Sequence, residues 1–94
     1  MQKRLSFFCD MNFYTYIIYS AQAEMFYIGQ TNNLEDRIHR HNTNQNKFTK
    51  HKGEWKLVWS KCFGSRAEAV QLEIRLKSFR NKEYLKSWIA NNQI

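Results

Sequence analysis

Phe13 to Tyr19 (FYTYIIY) is an unbroken run of aromatic and β-branched residues, and Met25 to Gly29 (MFYIG) brings a second run soon after it. Side chains of this kind suit a pleated, half-buried surface, so each run reads as a strand. The connector Ser20 to Glu24 is short and mostly polar. The chain must therefore begin its fold as a short antiparallel hairpin. Beyond the hairpin, helical and strand patterns alternate. Asn33 is a fitting N-cap, with Glu35 and Asp36 in the first turn after it, and Leu34, Ile38 and His41 at helical spacing predict a helix to about Asn42. Thr43 to Gly53 is polar, basic and aperiodic and reads as an exposed loop; Trp55 to Phe63 (WKLVWSKCF) reads as a third strand. Ser65 and Glu68 form a capping box at the head of a helix over about Arg66 to Phe79, and a last helix runs from about Lys82 to Asn91. The order is β-β-α-β-α-α. It predicts an α+β domain in which a three-stranded antiparallel sheet is flanked by helices.

At 94 residues the chain suits one domain, expected over residues 13–94 and preceded by a poorly ordered extension over 1–12. No stretch approaches the ~18 apolar residues that would span a bilayer. Cys9 falls in the extension and Cys62 in the third strand, a pair too few for a disulfide framework or a zinc ligand set. A small buried hydrophobe at Cys62 and a cytoplasmic location are the expectations.

The net charge is +7, and its distribution says more than its size. Residues 1–36 carry Lys3 and Arg4 against Asp10, Glu24, Glu35 and Asp36. Residues 37–94 carry thirteen basic side chains against Glu54, Glu68, Glu73 and Glu83. The whole basic excess lies in the later part, an electrostatic footprint suited to a polyanion.

Three features could carry chemistry. On the first helix Arg37 and His41 stand four apart and share a face, whereas His39 is about 200° around from Arg37. On the second helix Ala69, Leu72 and Leu76 form an apolar stripe, and Glu73 sits inside it. A carboxylate on such a face needs a cation or a metal ion. A salt bridge to Arg75, Lys77 or Arg37 and a hydrated Mg²⁺ would both answer that need. Tyr14, Tyr16, Tyr19 and Tyr27 crowd the hairpin, where phenols serve equally as packing and as polar groups. Gly29 marks a place where backbone approaches closely or takes a positive φ. Together a guanidinium, an imidazole, a carboxylate and phenols in a basic domain are what phosphodiester hydrolysis requires.

These residues resemble the GIY-YIG nuclease superfamily. Tyr27-Ile28-Gly29 is the YIG half of its motif, and Tyr14-Thr15-Tyr16 stands where GIY would be, keeping only the tyrosine Tyr16. Arg37 comes after Gly29 at the family's interval, His41 lies one turn later, and SRAEAVQLEIRLK is similar to the helix bearing the family's metal-binding glutamate, here Glu73. The similarity covers about residues 13 to 80. It implies a metal-dependent DNA endonuclease. Tyr27 would be or help form the general base, and Tyr16 would position it. Arg37 would hold the scissile phosphate. His41 would assist proton transfer or contact that phosphate, and Glu73 would bind one Mg²⁺ or Mn²⁺. The family's C-terminal asparagine has Asn81 as its one candidate here.

Lys47, Lys50 and Lys52 in the loop, with Arg75 and Lys77 on the second helix, are candidates for phosphate contacts, and Phe48 for stacking on an unpaired base. A solvated loop would look the same. No zinc finger or helix-turn-helix is present, so the expectation is selectivity for structure or damage in branched, flapped or single-stranded DNA, with a protein partner supplying any targeting. Two rivals share the charge: a non-catalytic nucleic-acid-binding module on the same fold, and a basic adaptor for an acidic protein.

Overall fold

In a computed structural model, residues 12–93 are described. The extension expected over residues 1–12, with Cys9, lies outside them except for Asn12. Three strands, β1 (Phe13–Ser20), β2 (Met25–Thr31) and β3 (Trp55–Phe63), form one sheet in the order β2-β1-β3, antiparallel throughout. The aromatic run that opens the hairpin is thus the central strand, which is why Thr15 to Ile18 are all buried. Three helices complete the expected β-β-α-β-α-α order: α1 (Leu34–Asn42), α2 (Arg66–Lys77) and α3 (Lys82–Asn91). Asn33 caps α1 by accepting from the Asp36 amide at 3.0 Å. Ser65 caps α2 by accepting from the Glu68 amide at 3.3 Å, and its hydroxyl donates to the Glu68 carboxylate at 3.1 Å.

Alternation along β1 divides two cores across the sheet. Ile17, with Ile28, Trp59, Leu76 and Leu85, faces α2 and α3. Tyr16 and Ile18, with Trp55, face α1, where Leu34, Ile38 and Tyr27 pack on them. Trp55 and Trp59 share sequence parity yet serve opposite faces. A bulge explains this: Ile17 pairs with Trp59 and Ile18 with Leu57, so Val58 is the extra residue. One unpaired residue reverses which side the positions beyond it face. Cys62 is half-buried in β3 opposite Tyr14.

The segment expected to be an exposed loop is staked to the fold by its own polar side chains. Asn42 bridges Trp55, donating to its carbonyl at 3.0 Å and accepting from its amide at 2.7 Å. Thr49 is 1% exposed, and its carbonyl accepts from the Trp55 indole at 3.0 Å. Asn44 and His51 take positive φ, and the Asn44 side chain accepts from the His51 amide at 3.0 Å. Short polar residues that look solvated in sequence are here the groups that satisfy the loop's backbone. Among the described residues, no helix is long and apolar enough to cross a membrane.

Candidate active site

The site assembles around one phenol. Tyr16 is fully buried, and its hydroxyl lies 2.9 Å from His41 Nε2. His41 is 1% exposed, and its Nδ1 lies 2.8 Å from Thr49 Oγ1. The Tyr27 ring is 4.8 Å from the His41 ring and 6.4 Å from that of Tyr16, centroid to centroid. Arg37, one turn before His41 on α1, acts on Tyr16 through its charge and a hydrogen bond, and on His41 through its charge. Glu73 reaches the same place from α2, close enough for its charge to be felt at Tyr16. The five expected catalytic residues come from β1, β2, α1 and α2, and the fold brings them together.

Two contacts set this convergence. Thr15, beside Tyr16 but on the other face of β1, donates to the Ala69 carbonyl at 2.7 Å. Ala69 has only a methyl group to hold α2 off the sheet, and Glu73 lies one turn beyond it on the same face. Gly29 is the cross-strand partner of Tyr16. A Cβ there would stand 2.6 Å from the Tyr16 hydroxyl oxygen and 2.8 Å from the ring carbon bearing it. Gly29 is therefore required for close approach and not for a positive φ, and the strand runs past it to Thr31. The missing side chain is the space in which the phenol lies.

Burial governs the electrostatics. Desolvation holds the Tyr16 phenol well above the ordinary tyrosine range; the neighbouring Tyr27 and, more weakly, Glu73 add to this, while Arg37 opposes it. Burial, and then the charge of Arg37, push the His41 imidazole down to about 4. At neutral pH both groups are uncharged. The Tyr16 hydroxyl, the His41 ring and the Thr49 hydroxyl are thus joined in one buried chain of hydrogen bonds. His41 is 1% exposed, and both its ring nitrogens are engaged, Nε2 by Tyr16 and Nδ1 by Thr49.

The buried imidazole makes stability depend on pH. An unfolded histidine titrates near 6.5 and folded His41 near 4, so between those values the unfolded chain binds the extra proton. The stabilisation is complete above 6.5 and is lost as pH falls toward 4, by on the order of 3 kcal/mol. Urea unfolding across this range measures it. His41→Asn removes that portion of the slope, and an equal slope in the variant would contradict the buried neutral imidazole.

Glu73 is 18% exposed at its side chain, and its Oε2 pairs with Lys77 Nζ at 2.7 Å. Of the partners open to it in sequence, Lys77 is the one it takes. Lys77 itself is half-exposed, and such pairs are worth only about 0–1 kcal/mol. Among the described residues no three His, Cys, Asp or Glu side chains cluster as a metal cage. One carboxylate with a half-exposed lysine partner, beside a guanidinium and phenols, fits a largely hydrated hard ion such as Mg²⁺ or Mn²⁺.

The expected nucleic-acid contacts separate. Phe48, Lys52 and Lys77 line one groove of about 490 Å³ together with Tyr27. Lys47 and Lys50 are exposed on either side of Phe48 in the staked loop. Arg75 lies elsewhere, on a groove with Trp59 and Trp88. Asn81 lines a second groove of about 490 Å³ that also includes Tyr27 and Lys77, but its side-chain oxygen caps α3, accepting from the Glu83 and Tyr84 amides at 2.8 and 3.1 Å. Thr49 is a member of the site that sequence reasoning missed, because a threonine in a basic polar run carries no signal of burial.

A family model described as the GIY-YIG catalytic domain matches residues 12–86. The chain is 36% identical over 78 residues to a UPF0213 protein of Oceanobacillus iheyensis, a match covering 82% of this chain and 90% of the relative. It is 35% identical to a UPF0213 protein of Staphylococcus haemolyticus, over 78% of this chain and 89% of the relative. With a UPF0213 protein of Clostridium perfringens it shares 37% identity over 77% of each chain. No solved structure matches significantly.

Proposed function

The chain belongs to the GIY-YIG catalytic-domain family, and from that premise we propose that it is a metal-dependent endonuclease hydrolysing DNA phosphodiester bonds, selective for structure or damage rather than for sequence. The observation that carries this reading is the convergence of Tyr27, Arg37, His41 and Glu73 on the buried Tyr16. Arg37 would clamp the scissile phosphate and offset charge developing on its oxygens. Tyr27, as the phenolate, would take the proton of a water adding to phosphorus, while the P–O bond on the far side breaks and its leaving oxygen takes a proton from solvent. Tyr16, neutral and held by His41, would keep Arg37 and Tyr27 in register. Glu73 would hold one Mg²⁺ or Mn²⁺ in place of Lys77. When bound, such an ion supplies Lewis-acid charge at the phosphoryl oxygens. Branched, flapped or single-stranded DNA would be the substrate, with a protein partner for targeting.

A second reading, a module that binds nucleic acid without cutting it, gains from the Lys77–Glu73 pair, which satisfies the carboxylate with no metal ion. Glu73→Ala separates the two. In the nuclease it lowers cleavage by on the order of 10²-fold or more and removes the Mn²⁺ binding seen by calorimetry. If wild type takes up no Mn²⁺ and the variant binds DNA just as well, the module stands.

A further inference from the structure

Among the described residues, five large hydrophobic side chains are exposed, and two of them, Phe48 at 70% and Met25 at 43%, line the same groove. Tyr27 and Trp55 form part of its lining as well, and Lys52 and Lys77 contribute its cations. Apolar side chains left in water between two lysines need an occupant that is flat and apolar in its middle and anionic at its flanks. We infer that this groove receives a single unstacked nucleobase, with the phosphates on either side of it held by Lys52 and Lys77. The inference rests on the nuclease reading only for the groove's nearness to the catalytic groups, through Tyr27.

Phe48 is presented by a rigid support. The Asn46 side chain accepts from the Phe48 amide at 2.8 Å and the Thr49 amide at 3.2 Å, and Thr49 is itself bonded to His41 and Trp55. A stacking ring carried on a fixed backbone loses less entropy when a base arrives than one on a loose loop. A base inside a duplex is stacked on both faces and cannot enter a groove of about 490 Å³ on a protein surface. A base in a bulge, a single strand or beside a junction can. The groove therefore supplies a physical source for selectivity by structure: it recognises whichever nucleotide is free to leave the stack.

The test is a binding measurement in EDTA at low salt, so that cutting plays no part. The probes are a duplex with one bulged 2-aminopurine, the matching perfect duplex, and the bulged duplex with an abasic site in place of the base. Wild type is expected to bind the bulge about 5- to 150-fold more tightly than the perfect duplex or the abasic probe, and to quench the 2-aminopurine. Phe48→Ala is expected to lose both the preference and the quenching while keeping salt-dependent binding to the perfect duplex; Phe48→Trp is expected to keep them. Equal binding of all three probes by wild type, or an undiminished preference in Phe48→Ala, overturns the inference. A protein that prefers the bulge but never cuts leaves it intact and removes the nuclease reading; a protein that cuts without preference does the reverse.

Discussion

In the proposed nuclease, Tyr27→Phe is expected to lower the cleavage rate by about 10²- to 10⁴-fold, the usual worth of a general base, and to change stability by less than about 1 kcal/mol. The family resemblance implies this role for Tyr27, and two of its neighbours are poorly placed to take it. Tyr16 has no exposed surface, and its hydroxyl is committed to His41 at 2.9 Å. His41 is equally buried, both its nitrogens are engaged, and an imidazole held down to about 4 is a poor base. Tyr27 is half-buried and lines two open grooves. Phenylalanine keeps its ring and removes only the oxygen. An unchanged rate in Tyr27→Phe would transfer the role to water or to another group.

Gly29→Ala is expected to damage stability and rate together. Its new Cβ would fall 2.6 Å from the Tyr16 hydroxyl oxygen, 2.8 Å from the adjoining ring carbon and 3.0 Å from the next. A buried ring anchored to His41 has no open direction to yield into, so the cost is about 1–3 kcal/mol, seen as a melting point lower by roughly 4–8 °C for each of them. Displacing the phenol by even ~1 Å would also cost about 10²-fold in rate. In a Tyr16→Phe background the shortest clash is gone and the ring-carbon clash remains, so the same alanine destabilises less without becoming harmless. An additive double variant would show that Gly29 and Tyr16 do not meet. The third residue of the YIG triplet is thus explained by the buried tyrosine of β1 rather than by backbone freedom.

Strand and helix types and starts were legible because each carried a local signal, β-branched aromatic runs for β1 and β2, Asn33 for α1 and the Ser65–Glu68 pair for α2, whereas β2 runs two residues past its expected end and α2 stops two short. The convergence of Arg37 with His41 was legible from helical spacing, and Glu73 from its place on an apolar stripe. What stayed hidden depends on contacts between distant segments. The bulge at Val58 sends Trp55 and Trp59 to opposite cores, and alternation alone cannot show where a ladder slips. Nothing local distinguishes Thr49, which turns toward His41, from the exposed residues around it. The burial of His41 between Tyr16 and Thr49 likewise depends on segments far apart in the chain. Helical spacing also favoured Lys77, four residues on, over Arg75, two residues on, as the partner of Glu73, and Arg75 instead lines a groove with Trp59 and Trp88.

The most direct test is cleavage by the purified chain at low salt. Labelled single-stranded, duplex, flapped and branched DNA would each be incubated with Mg²⁺, with Mn²⁺ and with EDTA. A metal-dependent nuclease cuts with either ion, stops with EDTA and weakens steeply as salt rises, since the basic side chains must displace counterions from the phosphates. Salt-sensitive binding with no cutting of any substrate under any ion would contradict that expectation and leave a protein that holds nucleic acid without breaking it.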